Sequence, residues 1–188
     1  MLFQGFESAA ISLGKENDIN PQEVESITVY CGTNAMRISG TEEKRIPSTA
    51  VHAQFSAYYK VASGIVRRRS TPAEYTEEAI QDRAVLDLCR KTELVLRPEY
   101  DTGFFYEKGG RIEIKTNRKS KPFSTDVHIP KGHPENPMTW KDFGDKMKAA
   151  AGVCIKPVPE DNLTTLLKMV KKLEDVDDVS EIIRLLVF

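Results

Sequence analysis

Hydrophobic and polar positions in residues 51–66 repeat with the period of an α-helix. At about 100° per residue, the apolar side chains cover an arc of roughly 120° and predict one continuous core-facing helix. Tyr59 lies at the border of this arc, where a phenol can bury its ring and offer its hydroxyl to a polar group. Lys60 lies further round and is expected to face away from the core. The apolar stripe comprises Val51, Phe55, Tyr58, Tyr59, Ala62, Ile65 and Val66, and the polar line beside it comprises His52, Ser56 and Ser63.

Strand patterns occur in four other segments. Residues 24–30 alternate as a half-buried strand does, and residues 92–98 read as a short strand. Residues 110–117 and 123–130 also alternate and are separated by a polar turn, which predicts an antiparallel pair.

Helical spacing accounts for most of the remaining chain, and Thr139 is the predicted N-cap of one of the later helices. Strands separated and followed by helices predict an α+β fold, in which a small antiparallel sheet packs against helices. We expect a single domain over residues 1–188. The predicted core positions of the last three helices are Trp140, Phe143, Met147 and Ala150, then Leu163, Leu166, Leu167, Val170 and Leu173, then Val179, Ile182, Ile183 and Leu186.

Composition and charge narrow the function classes. A net charge of −1 gives no reason to expect nucleic acid or an anionic membrane as a partner. The run Arg67–Arg69 follows a helix, where the helix dipole favours basic groups. The sequence contains neither an apolar run long enough to span a bilayer nor a signal peptide, and its three cysteines lack CxxC spacing. These features predict a cytoplasmic protein without a thiolate metal site or a disulfide framework.

The loop of residues 128–137 is rich in proline and is expected to be rigid and extended. Lys131 and His133 lie on it, and a cation and an imidazole on a loop can contact a carboxylate substrate. The same residues can equally be ordinary loop residues in contact with solvent.

Several stretches resemble, in order and spacing, the C-terminal part of the MmgE/PrpD family. This family includes 2-methylcitrate dehydratase, cis-aconitate decarboxylase and iminodisuccinate epimerase. The most specific pieces are an FSxxY motif at residues 55–59, the stretch "PKGHPENPMTWKDFGDKM" at residues 130–147, and "LEDVDDVS" at residues 173–180.

The resemblance implies a two-domain enzyme in which a larger helical domain precedes a smaller α+β lid domain, with the active site between them. It implies proton removal next to a carboxylate without a metal or organic cofactor. Complete members of the family tend to be homodimers, an interface that the lid alone need not keep. This chain corresponds to the lid alone, so the catalytic groups of the helical domain are expected to be absent from it. Tyr59 falls on the tyrosine of the FSxxY motif, which lines the active site in the family. His52, Lys131 and His133 are the candidate substrate-binding residues.

Two main hypotheses follow. In the first, the chain is the lid domain of a lyase acting on a small di- or tricarboxylate, inactive alone and bound to substrate only together with a helical domain. In the second, it is a non-enzymatic binding or assembly module that uses an exposed apolar face. An independent small enzyme with a site around Tyr59, His133 and Lys131 is a third alternative.

Overall fold

The protein is described here by a computed structural model covering residues 3–101, 109–127 and 129–187. These residues group into two compact units. Unit 1 contains the described residues of Met1–Ser70 and Glu74–Asn136, and unit 2 contains those of Thr71–Ala73 and Pro137–Phe188. That the two form one domain stays a prediction.

The α-helices of the described residues are α1 Gln4–Glu16, α2 Thr33–Ser39, α3 Ala50–Gln54, α4 Ala57–Arg67, α5 Arg83–Arg90, α6 Trp140–Ala151, α7 Glu160–Lys171 and α8 Ser180–Arg184. The strands are β1 Val24–Cys31, β2 Thr92–Leu96, β3 Arg111–Thr116 and β4 Lys119–Asp126.

Unit 1 contains a four-stranded sheet in the order β2-β1-β3-β4. The predicted pair in the second half of the chain is confirmed, because β3 and β4 are antiparallel, with Ile114 opposite Phe123. Strand β1 also runs antiparallel to β3. Ile27 and Val29 of β1 are buried, as the alternation predicts.

The sheet is mixed, because β1 and β2 are parallel. The expected antiparallel sheet therefore describes two of its three strand pairs. Residues 32–91 separate β1 from β2 and contain helices α2–α5. A helical connection of this length carries the chain back to the starting end of β1, so the second strand enters in the same direction. The α+β class is confirmed.

Residues 51–66 form two helices where the pattern predicted one. The chain breaks at Phe55 and Ser56, and the Ser56 side chain caps α4 by accepting a hydrogen bond from the Tyr59 N–H. Tyr58, Ala62 and Ile65 are buried as predicted. Val51 and Phe55 are 64% and 54% exposed, which corrects their assignment to the core. The break changes the rotation about the helix axis, so the residues before it no longer share a face with those after it.

Unit 2 is helical and confirms the predicted N-cap. Thr139 and Asp142 form a capping box at the start of α6, in which each side chain bonds the backbone N–H of the other. Helices α6 and α7 pack together, and Leu163 and Leu166 of α7 are buried. Many of the other predicted core positions are exposed within the described residues, since so small a group of helices buries little of its apolar surface. These exposed positions are Trp140, Phe143, Ala150, Val170, Leu173, Val179, Ile183 and Leu186.

Candidate functional site

Tyr59 lies in the first turn of α4 and is fully buried. Its hydroxyl donates a hydrogen bond to the carbonyl oxygen of Glu74 at 2.5 Å and lies 3.2 Å from that of Ala79. Burial raises the pKa of the phenol to about 12, although the nearby Arg67 opposes the shift. The hydroxyl is therefore protonated at neutral pH and acts as a hydrogen-bond donor.

The carbonyls that receive this hydrogen bond belong to residues 74–82, which we call the strap. It contains the 3-10 helix Ala79–Gln81 and ends at Asp82, which caps α5. The Glu74 carboxylate is fully buried and forms an ion pair of 2.6 Å with Arg69. At the other end, Asp82 pairs with Arg67 at 2.8 Å. Salt bridges at both ends therefore hold the strap, one to Arg67 of α4 and the other to Arg69, which lies two residues beyond the end of that helix.

A third connection between the strap and the rest of unit 1 is a buried carboxylate on α1. Glu7 is 3% exposed and accepts a hydrogen bond of 2.9 Å from the Tyr75 hydroxyl. Burial and this carboxylate hold the pKa of Tyr75 well above its ordinary value. The ammonium of Lys60 lies 3.8 Å from the other Glu7 oxygen, with its side chain 18% exposed. Lys60 therefore does not face away from the core, because Glu7 provides a charge partner there.

Sequence reasoning missed Glu7, although a signal existed. The residue shares a helical face with Phe3, Ala10 and Gly14, since these positions follow the i, i+4, i+7, i+11 spacing of a core-facing stripe. A carboxylate in such a stripe needs a buried partner, but the partner itself cannot be found without the fold.

The remaining candidates lie elsewhere in unit 1. His52 is half-buried on α3, and its Nδ1 is 3.5 Å from the N–H and the hydroxyl of Ser48. Because of the helix break, His52 does not share a polar line with Ser56 and Ser63. Ser56 is itself buried and donates from its hydroxyl to the Lys44 carbonyl.

The loop carrying Lys131 and His133 is ordered by its own hydrogen bonds. The Gly132 N–H donates to the Asn136 carbonyl at 2.8 Å, and His133 Nδ1 accepts from the Glu135 N–H at 3.1 Å. Gly132 has a φ of 95°, a conformation that glycine adopts without steric cost. His128, the first residue of the predicted loop, lies outside the described residues.

Among the described residues, the hydrogen bonds and the ring contact of Tyr59 involve Ser56, Glu74, Ala79 and Tyr75, and not His52, Lys131 or His133. Within the described residues, His, Cys, Asp and Glu side chains do not gather into a group of three or more that could hold a metal ion. None of the helices in this part of the chain is long and apolar enough to cross a membrane.

The buried tyrosines make an alkaline transition predictable. A phenol whose pKa is raised by folding contributes stability that is complete below its unfolded value of about 10 and is lost as the pH rises through the folded value. For Tyr59 this window runs from pH 10 to about 12. Tyr58 and Tyr75 are shifted in the same direction. We therefore expect the free energy of unfolding, measured by urea titration, to fall steadily across this window. Tyr59→Phe should flatten the slope because phenylalanine cannot ionise, and an unchanged slope would contradict the assignment.

Comparison with known protein families supports the resemblance that the sequence motifs indicated. The family model for the MmgE/PrpD C-terminal domain matches residues 3–174, which is most of the chain. No curated protein gives a significant match. The matched range includes the Ser56-capped helix with Tyr59, the Gly132 loop and the capping box of α6. The chain therefore belongs to the MmgE/PrpD family, and residues 3–174 correspond to the C-terminal domain of that family.

Proposed function

We propose that this domain is part of an MmgE/PrpD-type lyase that acts on a small di- or tricarboxylate. The reaction removes a proton next to a carboxylate and continues by dehydration or decarboxylation. The observation that carries this proposal is the arrangement of the FSxxY motif within the matched family range. Ser56, the serine of the motif, caps α4 through the Tyr59 N–H at 3.0 Å and so orients the tyrosine.

The proposed chemistry assigns Tyr59 the role of a donor. Its pKa is raised, so the phenol keeps its proton near neutral pH and suits donation to the oxygen of an enolate-like intermediate. A general base has to come from elsewhere, because a phenol that keeps its own proton near neutral pH cannot accept one from the substrate. We assign the base to a helical domain, as the family organisation suggests. On this proposal the 188-residue chain alone does not turn over substrate.

His52, Lys131 and His133 remain candidates for contacts with the outer carboxylates of a substrate. The hydrogen bonds of Tyr59 among the described residues do not include them, so the proposal gives them contacts with substrate groups other than the one that meets the phenol. Cys31 and Cys89 are buried and Cys154 is exposed. A reducing, cytoplasmic location is part of this proposal, because cysteines without the spacing of a disulfide framework are typical of that compartment.

The test is a chimera in which residues 3–174 replace the C-terminal domain of a complete MmgE/PrpD enzyme. We expect the chimera to convert 2-methylcitrate or cis-aconitate, and the 188-residue chain alone to convert neither. Tyr59→Phe should lower kcat of the chimera by about 10²-fold, the scale at which a lost proton donor slows a reaction. Tyr100→Phe, at a half-buried tyrosine of unit 1, serves as the matched control and should leave kcat unchanged.

A second candidate function rests on the exposed apolar side chains of unit 2. Trp140 and Phe143 are about half exposed and contact each other, with ring centroids 5.8 Å apart. Val179 and Ile183 on the last helical segment are 63% and 59% exposed. Such a surface suits a binding or assembly module. An inactive chimera, together with self-association of the chain that Trp140→Ser abolishes, would favour this alternative over the lyase.

A further inference from the structure

Glu7 is a buried carboxylate that the proposed chemistry does not use. It lies on α1 and is 3% exposed. One of its oxygens accepts the Tyr75 hydroxyl at 2.9 Å, and the other lies 3.8 Å from the Lys60 ammonium. A carboxylate removed from water costs free energy unless it is paired and hydrogen-bonded. The two contacts satisfy this charge, and each of them fixes the partner that makes it.

The two partners of Glu7 are the chain neighbours of a second hydrogen-bonded pair. The Tyr59 hydroxyl donates to the Glu74 carbonyl oxygen at 2.5 Å. Lys60 follows Tyr59 in α4, and Tyr75 follows Glu74 in the strap. Glu7 therefore connects α4 and the strap one residue beyond the bond that holds the phenol.

Tyr75 also contacts the phenol directly. Its ring centroid lies 5.8 Å from that of Tyr59, and the two ring planes are tilted by 51°. Aromatic rings at such a distance and tilt attract each other. Because the Tyr75 hydroxyl is bound to Glu7, its ring cannot swing away without breaking that hydrogen bond. Glu7 thus fixes one side of the space that the Tyr59 ring occupies.

We propose that Glu7 is a positioning residue for the Tyr59 phenol. Through Tyr75 and Lys60 it sets the spacing between α4 and the strap, and with it the place and the hydrogen bonding of the Tyr59 hydroxyl. Glu7 itself does not touch the substrate. Its effect on turnover rests on the proposed function, in which Tyr59 is the proton donor, whereas its effect on the phenol can be measured in the chain alone.

The hydrogen bond to Tyr75 carries most of this positioning. The Lys60 ammonium is at 3.8 Å and its side chain is 18% exposed, so water weakens its attraction to Glu7. The pKa of Tyr75 is held well above its ordinary value, because burial and the negative charge of Glu7 both disfavour the phenolate. The Tyr75 hydroxyl therefore keeps its proton and remains a donor to Glu7.

The first test measures how fast the Tyr59 hydroxyl proton exchanges with solvent in the 188-residue chain. NMR at neutral pH on protein with isotope-labelled tyrosine gives this rate, and Tyr59→Phe identifies the signal. A buried proton exchanges only when its surroundings open locally. Tyr75→Phe keeps the ring and removes the bond to Glu7, so we expect exchange about fivefold faster, the factor that corresponds to one ordinary hydrogen bond. Glu7→Ala should act in the same direction, and Glu7→Gln, which keeps an acceptor, should act less.

Glu113 offers a matched control. It also accepts a tyrosine hydroxyl, that of Tyr30 at 3.3 Å, and it pairs with Arg111 at 2.9 Å, but it lies on β3. Glu113→Ala and Tyr30→Phe make the same chemical changes as the test variants, at a pair that includes neither Tyr59 nor the strap. Both should leave the exchange of the Tyr59 hydroxyl proton unchanged.

The second test measures turnover in the chimera. Tyr75→Phe should lower kcat about tenfold and leave KM nearly unchanged, since a displaced donor weakens a contact that forms only in the transition state. Adding Glu7→Ala to Tyr75→Phe should lower kcat little further, because both changes break the same bond. Glu7→Gln should retain most of the activity.

The proposal is overturned if Tyr75→Phe exchanges the Tyr59 hydroxyl proton no faster than Tyr30→Phe does, or if Tyr75→Phe leaves kcat of an active chimera unchanged. Should Glu7→Ala not fold, Tyr75→Phe decides by itself, because it keeps the carboxylate and its contact with Lys60. An inactive chimera, together with hydroxyl exchange that follows the variants, would refute the proposed lyase function and keep the role of Glu7 in holding the phenol. An active chimera with unchanged exchange would do the reverse.

Discussion

Replacing Glu7 by alanine is expected to destabilise unit 1 by about 3 kcal/mol. The carboxylate is 3% exposed and serves two partners, the Tyr75 hydroxyl at 2.9 Å and the Lys60 ammonium at 3.8 Å. Breaking a buried ion pair by removing one partner costs about 3–5 kcal/mol, because the other charge stays buried without compensation. The lower end applies here, since Lys60 is partly accessible to water. Urea unfolding followed by circular dichroism measures the change.

Two variants sharpen this prediction. Glu7→Gln keeps an acceptor for the Tyr75 hydroxyl and loses only the charge, so it should cost less than Glu7→Ala. Glu16→Ala changes an exposed glutamate of the same helix and should stay within about 0.5 kcal/mol of the unmodified protein. A Glu7→Ala protein as stable as Glu16→Ala would show that the buried carboxylate contributes nothing.

Gly110→Ala is the second substitution with a large expected effect. Gly110 is buried just before β3, and an added methyl carbon would lie 2.5 Å from Cε1 of Phe6 and 2.8 Å from the Tyr30 carbonyl oxygen. The Phe6 ring is 2% exposed and stacks on Phe3, so it has little room to move. Overpacking of a core costs about 1–3 kcal/mol. We expect a loss of about 2–3 kcal/mol in the free energy of unfolding, because the fixed backbone oxygen adds to the clash.

A double-mutant cycle identifies the origin of this loss. Phe6→Leu removes the ring that the new methyl group meets, so it should cost less in the Gly110→Ala background than alone. Gly152→Ala is the matched control, since its added carbon would have ordinary contacts at 3.6 Å. Additive costs of Phe6→Leu and Gly110→Ala would contradict the proposed clash.

The sequence predicted those features that depend on neighbouring residues. Thr139 and Asp142 are three positions apart, so the capping box at the start of α6 was visible as an N-cap signal. The β3–β4 pair followed from two alternating segments joined by a short turn, because the register of a hairpin is set locally. The family resemblance also depended on short motifs, and the family match confirms it.

The helix break at Phe55 and Ser56 shows where periodicity misleads. The predicted apolar stripe continues across Ser56, although this serine caps a new helix. Val51 and Phe55 were therefore assigned to the core, whereas the structure shows both side chains exposed. The signal was present, because serine is a preferred N-cap residue, but helical periodicity alone does not reveal a break.

By itself, the sequence determined the α+β class, the hairpin, the Thr139 cap of α6, the family and the residue that the FSxxY motif points to. The tertiary structure decided the parallel β1–β2 pair, the Glu7–Lys60 contact and the cover over Tyr59, whose hydroxyl meets carbonyls of residues 74 and 79. Each of these joins residues far apart in the chain, or a side chain to a backbone group that any residue type could supply. Their partners therefore leave little trace in the local pattern, and only folding brings them together.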